Sequence, residues 1–166
     1  MKVGGRHNDI LNLLNHNKKM VTLKEITKKT LFPILKLDVL EHQKDQVAPN
    51  SISISEAYFE DKAWFRGIYN DDVPVGFVML SLDTDKKEYW VWRYMIDKNH
   101  QGKGYGKDAM ELVKKVIKEK FPDAMEFFLS YVPKEKDGAD GFYKKVGFED
   151  TGKIEHGEKI MRCQLT

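Results

Sequence analysis

Cysteine is almost absent from this sequence of 166 residues, since Cys163 is the only one. A single thiol cannot form a disulfide within the chain, and no spacing of cysteine and histidine resembles a zinc site. A catalytic thiol would also need a base, and no histidine partner can be named for it. We therefore expect Cys163 to be a strand residue, and we predict no metal cofactor.

An excess of one charge is lacking as well, and so are long apolar runs. The chain has 28 basic and 26 acidic side chains, which gives a net charge of +2 and no basic footprint for nucleic acid. No apolar run approaches the roughly 20 residues that span a bilayer, and no secretory signal pattern is visible. On these grounds we expect a cytoplasmic protein that binds neither nucleic acid nor membrane.

The residues that are present fit a globular fold, with 41% hydrophobic and 33% charged. The length suits one domain with its own core. Residues 1–19 differ from the rest, because "GGRHNDILNLLNHNKK" carries four asparagines and two glycines around a short apolar cluster. We predict a non-native or disordered extension over 1–19 and a single domain over 20–166. The alternative is a native N-terminal helix.

Periodicity and turn residues predict a mixed α/β domain in the order β-αα-βββ-α-β-α-ββ, with a mainly antiparallel front half. The stretch "EYWVWRYMID" is apolar without clean alternation, which favours a central strand. The predicted elements are strand 21–26, helix 31–43 with Thr30 as N-cap, a helix from about 54 with Ser53 and Glu56 as capping box, strands 64–69, 73–82 and 88–97, a helix of about sixteen residues ending at Lys120, strand 125–132, a short helix closed by Gly147, and strands 149–154 and 159–165.

The stretch "NHQGKGYGKDAM" places three glycines between the central strand and a helix. It fails the dinucleotide fingerprint, because Lys107 stands where the third glycine belongs, and it fails the Walker A pattern at Gln101 and Asp108. Glycines let a backbone approach a ligand closely, and the free amides of a helix N-terminus attract a diphosphate. The loop on its own also fits a plain turn before a helix.

The pattern Gln101-x-x-Gly104-x-Gly106, followed some 35 residues later by "GFYKKVGF", resembles the GNAT acetyltransferase superfamily over residues 20–166. The resemblance implies a mixed sheet splayed beside the glycine loop, with acetyl-CoA in the split and Tyr143 as the proton donor to the departing thiolate. Many members carry a cofactor-contacting asparagine where this chain has Lys136, which we include among the candidate contacts despite the different side chain. The implied cofactor-binding residues are Met95, Ile96, Gln101, Gly102, Lys103, Gly104, Tyr105, Gly106, Lys107 and Lys136.

The resemblance does not supply a general base. Some polyamine-acetylating relatives carry a carboxylate on the central strand, and Trp92 stands at the matching position here. Glu88 lies four residues earlier on the same strand. An alkylamine has a pKa near about 10 and is almost fully protonated at neutral pH, so some group must accept its proton. The sequence leaves that group unassigned.

The segments "QVAPNSISISEA" and "YWVWRYMIDKNHQGKGYGKDAM" resemble bacterial spermine/spermidine acetyltransferases of the diamine type. The implied partner is a small-molecule amine, for which acidic and aromatic side chains would form a groove. Other amine acceptors (an aminoglycoside, an amino acid, a protein N-terminus) and a non-catalytic acyl-CoA-binding module stay open, and a homodimer is compatible with the sequence. The candidate groove residues are Glu41, Asp45, Glu56 and Glu60, with Tyr58, Phe59 and Trp64 as aromatic faces and His42 and His100 nearby.

Overall fold

The computed structural model describes residues 20–134 and 139–166. These residues form a mixed α/β fold with seven strands, four α-helices and one 3₁₀ helix. In chain order the elements are β1 (Val21–Lys24), α1 (Leu31–Leu35), the 3₁₀ helix (Glu41–Gln43), α2 (Asn50–Tyr58), β2 (Ala63–Asn70), β3 (Val73–Asp83), β4 (Glu88–Ile96), α3 (Tyr105–Lys120), β5 (Glu126–Tyr131), α4 (Ala139–Lys145), β6 (Phe148–Glu155) and β7 (Glu158–Gln164).

The seven strands form one sheet in the spatial order β1-β2-β3-β4-β5-β7-β6. Strands β1 to β4 are antiparallel neighbours, β4 pairs with β5 in parallel, and β7 lies antiparallel between β5 and β6. The predicted element order and the mostly antiparallel sheet are confirmed. So is the central position of β4, which is the fourth of the seven strands.

Both faces of the central sheet are covered, so β3 is buried along most of its length. Helix α3 packs on one face through Ala109, Met110, Val113 and Ile117, which are all fully buried. A smaller cluster around Ile34 of α1 covers the other face. The helix predicted to end at Lys120 is confirmed with 16 residues, because its apolar positions repeat at helical spacing.

The first helix is much shorter than predicted, because α1 ends at Leu35 and the chain turns again only in the 3₁₀ helix. Between them the N–H of Asp38 donates to the buried carboxylate of Asp97 at 2.9 Å, and the Asp38 carboxylate accepts the N–H of Val39 at 3.0 Å. These bonds replace helical ones. Thr30 does occupy the N-cap position, but its hydroxyl accepts the N–H of Thr27 instead of capping the helix.

Helix α2 begins at Asn50, directly after Pro49, and not near residue 54. The predicted capping box is therefore wrong: Ser53 is a fully buried residue inside the helix, and its hydroxyl donates to the Pro49 carbonyl at 3.4 Å. Proline tolerates a helix start because its missing N–H would have no partner there.

The C-terminal strands pair as a hairpin. His156 and Gly157 join β6 to β7 with φ of 51° and 82°, the left-handed conformation that two-residue hairpin turns require. Cys163 lies on β7 and is 3% exposed, as expected for a strand residue. Gly147, with φ of 98°, ends the short helix α4 as predicted.

In the described part of the chain, no helix has the length and apolar character to cross a membrane.

Candidate active site

A cleft opens where β4 and β5 separate. The two strands pair only from Trp90 to Phe128 and from Val91 to Leu129, while β5 continues along β7 to Tyr131. Residues 92–96 of β4 therefore have no strand partner on this side among the residues described. A cavity of about 1390 Å³ occupies the gap, and its unpaired strand edge offers backbone donors and acceptors to a ligand.

A β-bulge at Trp92 accounts for the separation. In the pairing of β4 with β3, Met79 lies opposite Arg93 and Leu80 lies opposite Val91, so Trp92 has no partner residue. A bulge bends a strand and increases its twist. β4 accordingly turns away from β5 immediately after Val91.

The glycine loop forms one end of this cleft at the N-terminus of α3. Gly104 has φ of 87°, which glycine adopts without steric cost. The first bond of the helix runs from the N–H of Asp108 to the carbonyl of Gly104 at 3.1 Å, so the N–H groups of Gly106 and Lys107 have no acceptor inside the helix. The predicted residues that line the cleft are Met95, Ile96, Gln101, Gly102, Gly104, Tyr105, Gly106 and Lys107; Lys103 does not, and its Nζ donates to the Asn99 carbonyl.

Gln101 fixes the start of the loop with its side chain. Its Nε2 donates to the carbonyl of Ile96 at 3.0 Å and to Oε1 of Gln43 at 2.8 Å. Gln43 lies in the 3₁₀ helix, so the two amides join the glycine loop to the segment before α2. No local pattern indicates Gln43, because its partner is 58 residues away.

Only backbone is offered to a ligand at several predicted positions. The side chain of Tyr105 is 8% exposed and that of Met95 is 6% exposed, and both belong to core clusters. The hydroxyl of Tyr94 donates to the carbonyl of Gly106. A Cβ at Gly106 would lie 3.2 Å from Phe142, so a glycine keeps this side of the cleft open.

Tyr143 reaches the same cleft from α4. Its ring lies 6.0 Å from Tyr131, 5.4 Å from Phe142 and 5.9 Å from Phe148, centroid to centroid. Its hydroxyl forms no hydrogen bond with any described residue, so it is available to a ligand. Burial raises the pKa of Tyr143 to about 12, which keeps the phenol protonated as a proton donor requires.

The four carboxylates predicted for the acceptor do not converge on one point. Asp45 and Glu60 line the cleft, whereas Glu41 and Glu56 do not. Three of the four are already engaged by basic side chains: Glu41 by Lys44 at 2.8 Å, Asp45 by Lys134 at 2.6 Å, and Glu56 by Arg93 at 3.0 Å.

The three predicted aromatic faces also lie outside the cleft. Tyr58 and Phe59 are 83% and 85% exposed, and Trp64 packs against the main core under Arg66. Glu88 is exposed at the start of β4 and does not line the cleft either. Aromatic contact in the cleft comes from other residues.

Sequence reasoning missed several side chains that do line the cleft. All but Gln43 stand on strands whose pairing is set by long-range contacts, and Gln43 meets the glycine loop through a residue 58 positions away, so no local motif marks them. His42 and His100 line it as well. The missed residues are Gln43, Trp90, Arg93, Ser130, Tyr131 and Glu158.

Two predictions fall outside the residues described, namely Lys136 as a cofactor contact and residues 1–19 as an extension. Within residues 20–134 and 139–166, no three histidine, cysteine or acidic side chains are grouped as metal ligands would be.

Comparison with known proteins gives one family and several relatives. The sequence model of the acetyltransferase (GNAT) family matches residues 30–148. A probable spermine N(1)-acetyltransferase of Bacillus subtilis subsp. natto (strain BEST195) is 28% identical over 154 residues, which cover 87% of this chain and 99% of the relative. The spermine/spermidine N(1)-acetyltransferase of Bacillus subtilis (strain 168) is 27% identical with the same coverage.

Solved structures agree on the fold. The PaiA N-acetyltransferase of Thermoplasma acidophilum, crystallised in complex with coenzyme A, superposes with a TM-score of 0.65 at 16% identity. The match covers 87% of this chain and 99% of that protein. The splayed sheet described above is therefore an architecture shared with a known acetyltransferase.

Proposed function

Because the chain belongs to the acetyltransferase (GNAT) family, we propose that it transfers the acetyl group of acetyl-CoA to a primary amine of a polyamine such as spermidine or spermine. The two Bacillus relatives support this acceptor class. The observation that carries the proposal is the cleft between β4 and β5, where an unpaired strand edge, a helix N-terminus and the phenol of Tyr143 meet.

The glycine loop would hold the diphosphate of acetyl-CoA. The free N–H groups at the start of α3 point out of the helix N-terminus, which is the positive end of the helix dipole. This end favours an anion. Lys107 lines the cleft at this end and adds a positive charge. The edge of β4 at Met95 and Ile96 would pair with the pantetheine arm, which carries amide groups of its own.

The chemistry requires two proton-handling steps and one stabilised oxygen. An amine attacks the thioester carbonyl, and negative charge develops first on oxygen and then on sulfur. Fixed backbone N–H groups at the β4 edge would stabilise the oxyanion. Tyr143, whose hydroxyl has no partner among the described residues, would protonate the thiolate.

The lining of the cleft combines negative charge with an aromatic surface. Asp45 and Glu60 line it, together with Trp90, whose ring lies tilted against Phe128 at a centroid distance of 5.1 Å. An alkylammonium ion is attracted by both kinds of group. These contacts support a cationic acceptor.

A second candidate acceptor carries a carboxylate beside its amine, as an amino acid or a peptide N-terminus does. Arg93 favours it, because this residue lines the cleft and its Nε is buried without a hydrogen-bond partner. Arginine binds carboxylates with two parallel hydrogen bonds. The engagement of Arg93 by Glu56 weighs against this reading and keeps the polyamine as the main proposal.

Thiol release from acetyl-CoA tests the proposal directly. Purified protein is incubated with acetyl-CoA and, in parallel, with spermidine, spermine, an aminoglycoside, free amino acids and a peptide with a free N-terminus. We expect spermidine or spermine to give the highest kcat/KM. A higher value for another amine would replace the polyamine, and binding of coenzyme A without turnover of any amine would indicate a non-catalytic acyl-CoA-binding module.

A further inference from the structure

Glu158 is a carboxylate of the cleft that no sequence motif indicates. It is the first residue of β7, and it lines the same cavity as Tyr143. Its Oε2 accepts a hydrogen bond from the hydroxyl of Ser130 on β5, which fixes the carboxylate beside the strand that borders the split. No basic side chain forms an ion pair with Glu158 in the described part of the chain, whereas Asp45, which also lines the cavity, is paired with Lys134.

The pairing of β5 and β7 places Glu158 and Tyr143 on opposite faces of the sheet. Successive residues of a strand point to opposite faces, so Ser130 and Tyr131 do so. Glu158 is hydrogen-bonded to Ser130, and the ring of Tyr143 packs against Tyr131. The carboxylate of Glu158 and the phenol of Tyr143 therefore lie on opposite faces of the sheet, next to two consecutive residues of β5.

Acyl transfer from a thioester needs this kind of separation. One group must take a proton from the incoming ammonium ion, and a different group must give a proton to the departing sulfur. Two such groups on opposite faces of a split sheet can act on the two ends of the reacting centre. The other two carboxylates of the cleft fit less well, because Asp45 is bound by Lys134 and Glu60, in the loop after α2, forms no hydrogen bond with β5 among the described residues.

We propose that Glu158 is the general base that receives the proton of the acceptor ammonium, on the sheet face opposite to Tyr143. This inference rests on the proposed function and supplies the base that the sequence left unassigned. Trp90 lines the same cavity as Glu158, and an indole face attracts an alkylammonium ion.

The steps balance in atoms and charge. The carboxylate of Glu158 takes one proton from the ammonium, and the neutral nitrogen forms a bond to the thioester carbon. The carbon–sulfur bond then breaks, and the thiolate takes the phenol proton of Tyr143. The second proton of the attacking nitrogen returns through water to Tyr143, and Glu158 releases its proton to solvent, so one proton is released for each amide formed.

The substitution Glu158→Gln tests this role with the best amine found for the wild-type protein. We expect kcat/KM to fall by about 10²–10⁴-fold, the usual contribution of a general base, while calorimetry shows unchanged affinity for coenzyme A. A fluorinated alkylamine, which is largely neutral at the assay pH, needs no base. With that acceptor the variant should lose less than about tenfold, and Glu158→Asp should retain part of the activity with either amine.

The exposed Glu155, which pairs with Glu158 across the hairpin and does not line the cleft, provides the matched control Glu155→Gln with wild-type kinetics. An unchanged kcat/KM in Glu158→Gln, or an equal loss with the neutral amine, overturns the assignment while leaving the acetyltransferase proposal intact. If Glu158→Gln does not fold, Ser130→Ala provides the second measurement, with an expected several-fold loss confined to protonated amines. Absence of turnover in the wild type would overturn both proposals.

Discussion

Lys134 Nζ lies 2.6 Å from each carboxylate oxygen of Asp45, and this contact joins segments 89 residues apart in the sequence. Asp45 follows the 3₁₀ helix, and Lys134 follows β5. The two residues therefore link the segment beside the glycine loop to the segment that follows β5, the strand that separates from β4 at the cleft. The hydrogen bond from Lys134 holds the pKa of Asp45 below its usual value, so the pair survives mild acidification.

Removing the ion pair between Lys134 and Asp45 should leave the protein folded but allow the two sides of the cleft to separate more easily. In Lys134→Met we expect faster release of coenzyme A, by about 1.5- to 5-fold, because exposed ion pairs stabilise only weakly. High salt should bring the wild-type rate toward that of the variant, and acidification through the lowered pKa of Asp45 should do the same. Stopped-flow displacement measures the rate. Lys24→Met, which breaks the remote pair with Asp72, should have no effect, and an equal effect there would contradict the link.

Removing the hydroxyl of Tyr143 should affect chemistry more than binding. We expect Tyr143→Phe to lower kcat by about 10²-fold or more, the scale of a lost general acid, with the dissociation constant of acetyl-CoA changed less than twofold. Tyr131→Phe is the matched control, because Tyr131 lies in the same cleft but its hydroxyl already donates to Asp140 at 2.8 Å. A parallel loss of kcat and affinity in Tyr143→Phe would mean that the ring contributes by packing.

Local sequence signals predicted the elements whose pattern is strong. The apolar positions of α3 recur at helical spacing, and β4 is apolar on both sides, so both were placed correctly. The long first helix failed because Asp97, a buried carboxylate distant in sequence, accepts the N–H of Asp38 and draws the chain out of helical geometry. Such long-range bonds override local propensity and leave no trace in the local pattern.

The residues of the candidate site likewise fall into those with a local sequence signal and those brought together by long-range contacts. The loop residues from Gln101 to Lys107 form a contiguous motif, and all but Lys103 line the cleft. Glu158 and Ser130 meet only because β7 inserts between β5 and β6 in the sheet, a register that a pair of terminal strands does not reveal. The acidic acceptor segment was chosen by family resemblance and by charge, neither of which reveals ion pairing, and the structure pairs three of its four carboxylates with basic residues.

The three tyrosines around the cleft should make the fold sensitive to alkali. Burial raises the pKa of Tyr143 and of Tyr131 to about 12, and it raises the pKa of Tyr94 well above its usual value. A raised pKa in the folded state means that the stabilisation is complete below about pH 10, the value in the unfolded chain, and is lost as the pH rises through about 12. Urea unfolding between pH 9 and 12 should show this fall. The fall should be shallower in Tyr143→Phe, and an identical slope would contradict the assignment.

A methyl group at Gly106 should narrow the cofactor end of the cleft. The added Cβ would lie 3.2 Å from Phe142 and 3.4 Å from Ile96, so one of these side chains must move into the space beside the loop. We expect Gly106→Ala to weaken coenzyme A binding by about tenfold in calorimetry. Gly141→Ala in α4 meets no atom within 4 Å and should keep full affinity while gaining up to about 1 kcal/mol of helix stability.

Substitution of Arg93 tests the acceptor class, because the direction of the change in kcat/KM depends on whether the acceptor carries a carboxylate. Arg93 lines the cleft, and its guanidinium pairs with Glu56 at 3.0 Å. Two like charges about 8 Å apart repel by about 0.5–2 kcal/mol, so Arg93→Met should raise kcat/KM for spermidine by roughly 2- to 30-fold. Glu56→Gln leaves the guanidinium unpaired and should lower it. If the acceptor instead carries a carboxylate, Arg93→Met should abolish turnover of that substrate, and the kinetics of the two variants with spermidine and with a free amino acid distinguish the two acceptor classes.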